Sequence, residues 1–272
     1  MRRVALVLAL LVVATACAGE DEGPRPVVQA SFFPLAEVAR AVGGSDAVVS
    51  DLGSPDSDPH ISQAIADYAP GGAPDVNLYL SEGFPDLAGG DAVEVDGLQG
   101  LPVVDGDPHV WLDPTMLASI ATAVRDALSD VAPGRADAYA ENTARYRRTL
   151  AALDRRLSAG LAACERNVVV TAHAAWRYFT SRYRIEQEPL GGVSTSDAPA
   201  PGRAEELAAL VRDAGVTTVF REPLVPDEGI NALAAATGAK VATLDPLEGG
   251  GGTYVQRMGR NLTALRTALG CA

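Results

Sequence analysis

The chain reads as an α/β protein of two lobes with mostly parallel sheets joined by one long backbone helix, and three observations predict this. Short β-type runs alternate with helical patterns along both halves of the sequence. One long periodic segment separates those halves. The 272 residues are 47% hydrophobic and 21% charged, which is the balance of a globular protein long enough for one large or two medium domains. Strands that alternate with helices form parallel sheets with helices on both faces.

In the first half, Pro26 to Ala30 is a β-type run, followed by Ser31-Phe32-Phe33-Pro34-Leu35 and a helical pattern from Ala36 to Val42. A second strand is predicted at Ala47 to Leu52, a third at Asp75 to Leu80, and an extended run at Leu101 to Val104. Pro114 marks the start of a helix over Thr115 to Ser129. From Pro133 to about Leu161, Tyr139, Thr143, Tyr146, Leu150, Leu153, Leu157 and Leu161 recur at steps of four and three, which keeps one face of a helix apolar. The second half repeats the alternation. Strands are predicted at Asn167 to Thr171, Arg184 to Glu188, Thr217 to Phe220 and Val241 to Leu244. Helices are predicted from about Asp227 to Thr237, ended by Gly238, and along Tyr254, Met258, Leu262, Leu265 and Leu269. The implied division is a signal peptide over 1–16, a tether over 17–25, an N-terminal lobe over 26–130, a linking helix over 131–163 and a C-terminal lobe over 164–272. Each lobe reads as Rossmann-like.

The chain contains three histidines, and each stands in a metal-like setting: Asp58-Pro59-His60, Asp107-Pro108-His109 followed by Val110-Trp111-Leu112-Asp113-Pro114, and Val170-Thr171-Ala172-His173. A neutral imidazole nitrogen is the commonest protein metal ligand near neutral pH. His173 and Asp245 each follow the carboxyl end of a predicted strand, and His60 and His109 lie in loops of the first half. Ligand crevices of open α/β sheets form outside the carboxyl ends of strands, so all four can converge on one cleft between the lobes. Their separations of 49, 64 and 72 residues exclude a zinc finger or a two-histidine helix motif, which need ligands within a turn or a short knuckle. Asp58 and Asp113 read as turn and cap residues.

A net charge of −13 with no basic stripe excludes nucleic acid as a partner. At the amino end, Arg2 and Arg3 precede an apolar run from Val4 to Val13, too short to span a bilayer. Ala14-Thr15-Ala16-Cys17 follows, which resembles a bacterial lipoprotein signal with Cys17 as the acylated residue. An ordinary secretory signal with a chance cysteine is the alternative, and both send the protein out of the cytoplasm. Cys164 and Cys271 then remain, either as a disulfide suited to an oxidising compartment or as two buried thiols.

Over nearly the whole predicted mature length the chain resembles the zinc- and manganese-type solute-binding lipoproteins of bacterial metal ABC transporters. The matching stretches are Ser31 to Leu35, Asp58-Pro59-His60, Asp107 to Pro114, Tyr139-Ala140-Glu141-Asn142 with Tyr146, Leu150 and Leu153-Asp154, and Thr171 to Phe179. Phe220-Arg221-Glu222-Pro223, Leu244-Asp245-Pro246-Leu247, and Tyr254 with Met258, Asn261 and Leu262 continue them. The resemblance implies a non-enzymatic, monomeric receptor, anchored by lipid to the outer face of the cell membrane, that captures a metal and delivers it to a permease. It also implies His60, His109 and His173 as nitrogen ligands and Asp245 as the carboxylate, with Glu222 either orienting a histidine or lying at the surface.

Histidine at the third position points within that family to Zn²⁺ as the transported ligand rather than manganese. Three imidazoles and one carboxylate also suit tetrahedral Zn²⁺ better than Mn²⁺, which prefers more oxygen donors. A manganese- or iron-binding member of the family is the alternative, with a zinc hydrolase and a metal-containing surface adhesin behind it. Residues 61 to 108 contain no histidine, so the His-rich capture loop of many zinc-specific members is lacking.

Overall fold

The computed structural model describes residues 23–53, 74–79, 92–94, 101 and 104–272. Two four-stranded sheets, each fully parallel, form the two lobes. The first contains β1 (Val27–Ala30), β2 (Val48–Asp51), β3 (Val76–Tyr79) and β4 (Ala92–Glu94), in the order β2-β1-β3-β4. The second contains β5 (Val168–Thr171), β6 (Glu186–Pro189), β7 (Thr218–Arg221) and β8 (Lys240–Thr243), in the equivalent order β6-β5-β7-β8. Parallel neighbours need a crossover, and helices supply it. The first sheet is served by α1 (Phe33–Gly43), and the second by α4 (Arg177–Tyr183), α5 (Arg203–Asp213) and α6 (Glu228–Thr237). Central strands β1 and β5 are buried at three consecutive positions each and accordingly read Val-Val-Gln-Ala and Val-Val-Val-Thr, mostly apolar rather than alternating with exposed polar residues.

Helix boundaries follow local chemistry. Pro34 in the first turn of α1 needs no amide partner there, and Gly44 closes the helix at φ 57° with its N–H on the Arg40 carbonyl. In α2 (Pro114–Val131) the Asp113 side chain accepts the Thr115 N–H at 2.7 Å, so Asp113 is an N-cap, as its setting suggested. The final helix, α7 (Tyr254–Leu269), opens with a reciprocal capping box between Thr253 and Gln256.

The long helix α3 runs Ala136–Gly160 after a 3-10 turn at Pro133–Arg135, so its regular part is shorter than the sequence periodicity suggests, about 37 Å. Tyr139, Thr143, Tyr146, Leu150, Leu153 and Leu157 form its buried face. Strand β4 and helices α4 and α5 have no counterpart in the sequence reading. A three-residue strand and a seven-residue helix contain too little repeat for a period to show.

One hydrophobic core passes through both lobes, joining Phe32, Trp111, Leu157, Phe179, Phe220, Leu247, Tyr254 and Met258, while a smaller one lies among β5, β7, α5 and α6. Polar bonds cross the same boundary. The Trp111 indole N–H reaches the Pro246 carbonyl at 2.8 Å, the Tyr254 hydroxyl reaches the Trp111 carbonyl at 2.7 Å, and the Glu37 carboxylate accepts the Tyr254 N–H. Among the described residues no helix is long and apolar enough to cross a membrane.

Cys164 and Cys271 are joined as a disulfide across a sequence separation of 107 residues, tying the end of α7 to the start of the C-terminal lobe. Closing so long a loop restricts the unfolded chain, so replacing both cysteines by serine is expected to lower unfolding free energy by about 2–5 kcal/mol. Denaturant unfolding of the two proteins, in the absence of reductant, measures the difference.

Candidate metal centre

His109 is delivered by the loop that enters α2, immediately before a 3-10 turn at Val110–Leu112. Asp107 holds it from behind: its Oδ1 accepts the His109 backbone N–H at 3.0 Å and the ring Nδ1 lies 2.6 Å away. Asp107 is itself fixed from the other lobe, where the Tyr178 hydroxyl donates to its carbonyl at 2.6 Å and accepts the Val104 N–H at 3.0 Å. His173 follows β5 by two residues. Its carbonyl accepts from the Thr171 hydroxyl at 2.8 Å and the Gln187 amide at 2.9 Å, which locks the turn. Its Nδ1 pairs with Glu222 Oε2, and Glu222 Oε1 accepts the Trp176 indole N–H at 3.0 Å. Glu222 follows β7, so His173 and Glu222 flank the point between β5 and β7 where the strand order reverses, the usual crevice of such sheets.

Both imidazoles therefore spend Nδ1 on a carboxylate, and both aim Nε2 at one oxygen. Glu248 Oε1 lies 3.1 Å from His109 Nε2 and 3.1 Å from His173 Nε2. Among the described residues, His109, His173 and Glu248 are the group whose donor atoms come close enough to hold one ion, all within 4.8 Å of one another and all buried. Donors around a tetrahedral Zn²⁺ with bonds of 2.0–2.1 Å stand about 3.3 Å apart, which the two 3.1 Å spacings from Glu248 to the imidazoles nearly match.

The carboxylate beside the two histidines is Glu248, while Asp245, the one expected there, is bonded to Arg257. Asp245 gives Oδ1 to Arg257 Nη2 at 2.5 Å and to the Leu247 N–H at 2.9 Å, and Oδ2 to Arg257 Nε at 2.7 Å. Glu248, three residues further along the same loop, stands beside the histidines instead. Leu247 between them adopts φ 66°, a left-handed conformation that turns the chain so that Glu248 points back into the cleft. Arg257 and Asn261 lie on the Tyr254–Met258–Leu262 face of α7, and a buried guanidinium requires a carboxylate partner, but the pairing of Arg257 with Asp245 shows only in the packed structure. Asp107 was likewise not singled out as the partner of His109. Glu222 occupies the orienting position. His60 and Cys17 lie outside the described residues.

Burial disfavours the charged imidazole, yet it is outweighed at both histidines. At His173 the Glu222 and Glu248 carboxylates raise the pKa to about 11, and at His109 Asp107 and Glu248 raise it as well. Burial also holds Glu222 above the ordinary carboxylate range against the pull of His173.

The family model for the periplasmic zinc-uptake complex component A, ZnuA, matches residues 28–268. The chain belongs to this family. It is 31% identical over 167 residues to the zinc-binding lipoprotein AdcA of Streptococcus pneumoniae serotype 4, a match covering 59% of this chain and 33% of that protein. The zinc-binding protein TroA of Treponema pallidum is 32% identical over 177 residues, covering 60% and 57% respectively. This chain thus spans about a third to a little over half of the length of these curated relatives. The solved structure of the laminin-binding protein Lmb of Streptococcus agalactiae superposes with a TM-score of 0.82 at 26% identity, covering 90% of this chain and 99% of that one. Two parallel α/β lobes are the shared architecture.

A histidine with a raised folded-state pKa stabilises the fold fully below its unfolded value of about 6.5, and that contribution is lost as pH rises through the folded value of about 11. Denaturant unfolding of the metal-free protein at pH 7 to 10 should therefore show stability falling with rising pH, His173 contributing a slope approaching about one proton, and H173N should remove that contribution.

Proposed function

We propose that this protein is an extracytoplasmic, non-enzymatic receptor that captures Zn²⁺ and delivers it to the permease of an ABC importer. One observation carries the reading: two buried imidazoles with Nδ1 committed to carboxylates turn their Nε2 atoms onto a single buried glutamate oxygen. Backing of Nδ1 fixes the tautomer and ring orientation that a metal needs at Nε2. His109, His173 and Glu248 supply three donors in this reading, and His60, which lies outside the described residues, is assigned as the fourth. Three nitrogens and one carboxylate suit tetrahedral Zn²⁺, whereas Mn²⁺ favours oxygen-rich, higher coordination. AdcA and TroA carry zinc in their names, and Lmb is described as having metal-transporting activity.

Zinc hydrolysis would need an open coordination position and a nearby base. Glu222, the candidate base, has one oxygen on His173 and the other on the Trp176 indole, so it orients a ligand instead. Acylation at Cys17, with the stretch to about residue 25 as tether, places the receptor as a monomer at the outer face of the cell membrane, beside its permease.

Competition titration of the metal-free protein should rank Zn²⁺ well above Mn²⁺, and H173A and E248Q should each weaken zinc by about 100-fold or more, since each removes a direct donor. Mn²⁺ binding equal to Zn²⁺, or unchanged zinc affinity in E248Q, would contradict the donor set. Metabolic labelling with palmitate should mark the membrane-bound protein and fail in C17A.

A further inference from the structure

We propose that Arg257 is a positioning residue of the zinc site: its buried guanidinium grips the loop on both sides of Glu248 and sets the aim of that carboxylate on the two histidines. The inference rests on Glu248 as a metal donor.

Beyond Pro246, the loop from Leu247 to Gly252 has little stiffness of its own. Leu247 holds a backbone conformation that a side chain disfavours, and four glycines, Gly249 to Gly252, follow Glu248 and offer no rotamer or packing restraint. Its order comes from α7. On the entry side, Arg257 Nε and Nη2 hold the two oxygens of Asp245 at 2.7 and 2.5 Å. On the exit side, Nη1 of the same guanidinium donates to the Gly249 carbonyl at 2.5 Å. One turn further along α7, Asn261 accepts the Asp245 N–H at 2.9 Å and donates to the Asp245 carbonyl at 2.7 Å. Behind the guanidinium lies the Phe33 ring of α1, 4.8 Å from Cζ, so the grip is referenced to the opposite lobe as well. Arg257 is 2% exposed and Glu248 is 2% exposed, so neither arrangement is a surface accident.

A planar fork is what this task needs. Nε and Nη2 lie in one edge of the guanidinium and match a carboxylate, while Nη1 points elsewhere to reach the carbonyl beyond Glu248. A lysine ammonium keeps the charge but cannot span the two sides of the loop in one fixed geometry. R257K therefore tests position rather than charge.

The experiment is a double-mutant cycle read as zinc affinity and zinc dissociation rate, with E248Q, R257K and E248Q/R257K, alongside thermal unfolding of each metal-free protein. R257K should weaken zinc about 10- to 100-fold, the range for residues that orient a ligand, with faster dissociation. In the E248Q background the same change should alter affinity by less than about twofold, because its effect passes through Glu248. D245N provides the second arm should R257K fail to fold: it breaks the same grip isosterically and should show the same non-additivity. Wild-type zinc affinity in R257K and D245N, or equal fold losses with and without Glu248, overturns the positioning role and leaves the donor set intact. Unchanged affinity in E248Q overturns the donor set, and the positioning role with it.

Discussion

Three carboxylates and two imidazoles buried together impose a charge balance on which the rest of the structure depends. Asp107, Glu222 and Glu248 are each nearly sealed from solvent, as are His109 and His173. Buried carboxylates are costly unless a cation faces them. Protons on the imidazoles meet part of that demand, which is why both histidines hold protons more tightly than free imidazole does. A dication placed between the Nε2 atoms and Glu248 meets it more fully, and the protons that it displaces leave from the same nitrogens.

The two sheets exist, in functional terms, to bring that cluster together and keep it dry. The β5–β7 switch point presents His173 and Glu222, and the entry to α2 presents His109. The loop after β8 presents Glu248, held mainly by Arg257 and Asn261 of α7 and tied to the N-terminal lobe by the Trp111 indole on the Pro246 carbonyl. Trp111 packs its ring 4.9 Å from His109 and Trp176 bonds Glu222, so the two tryptophans both wall the site and position it. One hydrophobic core runs through both lobes, so the site stands on a continuously packed scaffold.

Much of this was legible along the chain. Val168 to Thr171 is an uninterrupted apolar run, so a parallel strand ending just before His173 could be read directly, and the four-and-three spacing from Tyr139 to Leu157 announced the buried face of α3. The carboxylate was not legible in the same way. Asp245 and Glu248 sit three residues apart in one loop, and local pattern favours the one nearest the strand end. What separates them is Arg257, twelve residues beyond Asp245 in the sequence, whose claim on Asp245 appears only when α7 packs against the loop. Likewise the pairing of Asp107 with His109 depends on a turn conformation that Tyr178 enforces from the other lobe. Non-local constraints of this kind leave no periodicity.

Zinc and protons competing for the same two Nε2 atoms is the central claim, and calorimetric counting of protons released on zinc binding tests it most directly. Titrations at pH 7 in buffers of differing ionisation enthalpy should show a net release approaching about two protons per zinc. Zinc binding with no net proton release would mean that the imidazoles are already neutral, and that the carboxylates around them do not hold the site in readiness for a cation.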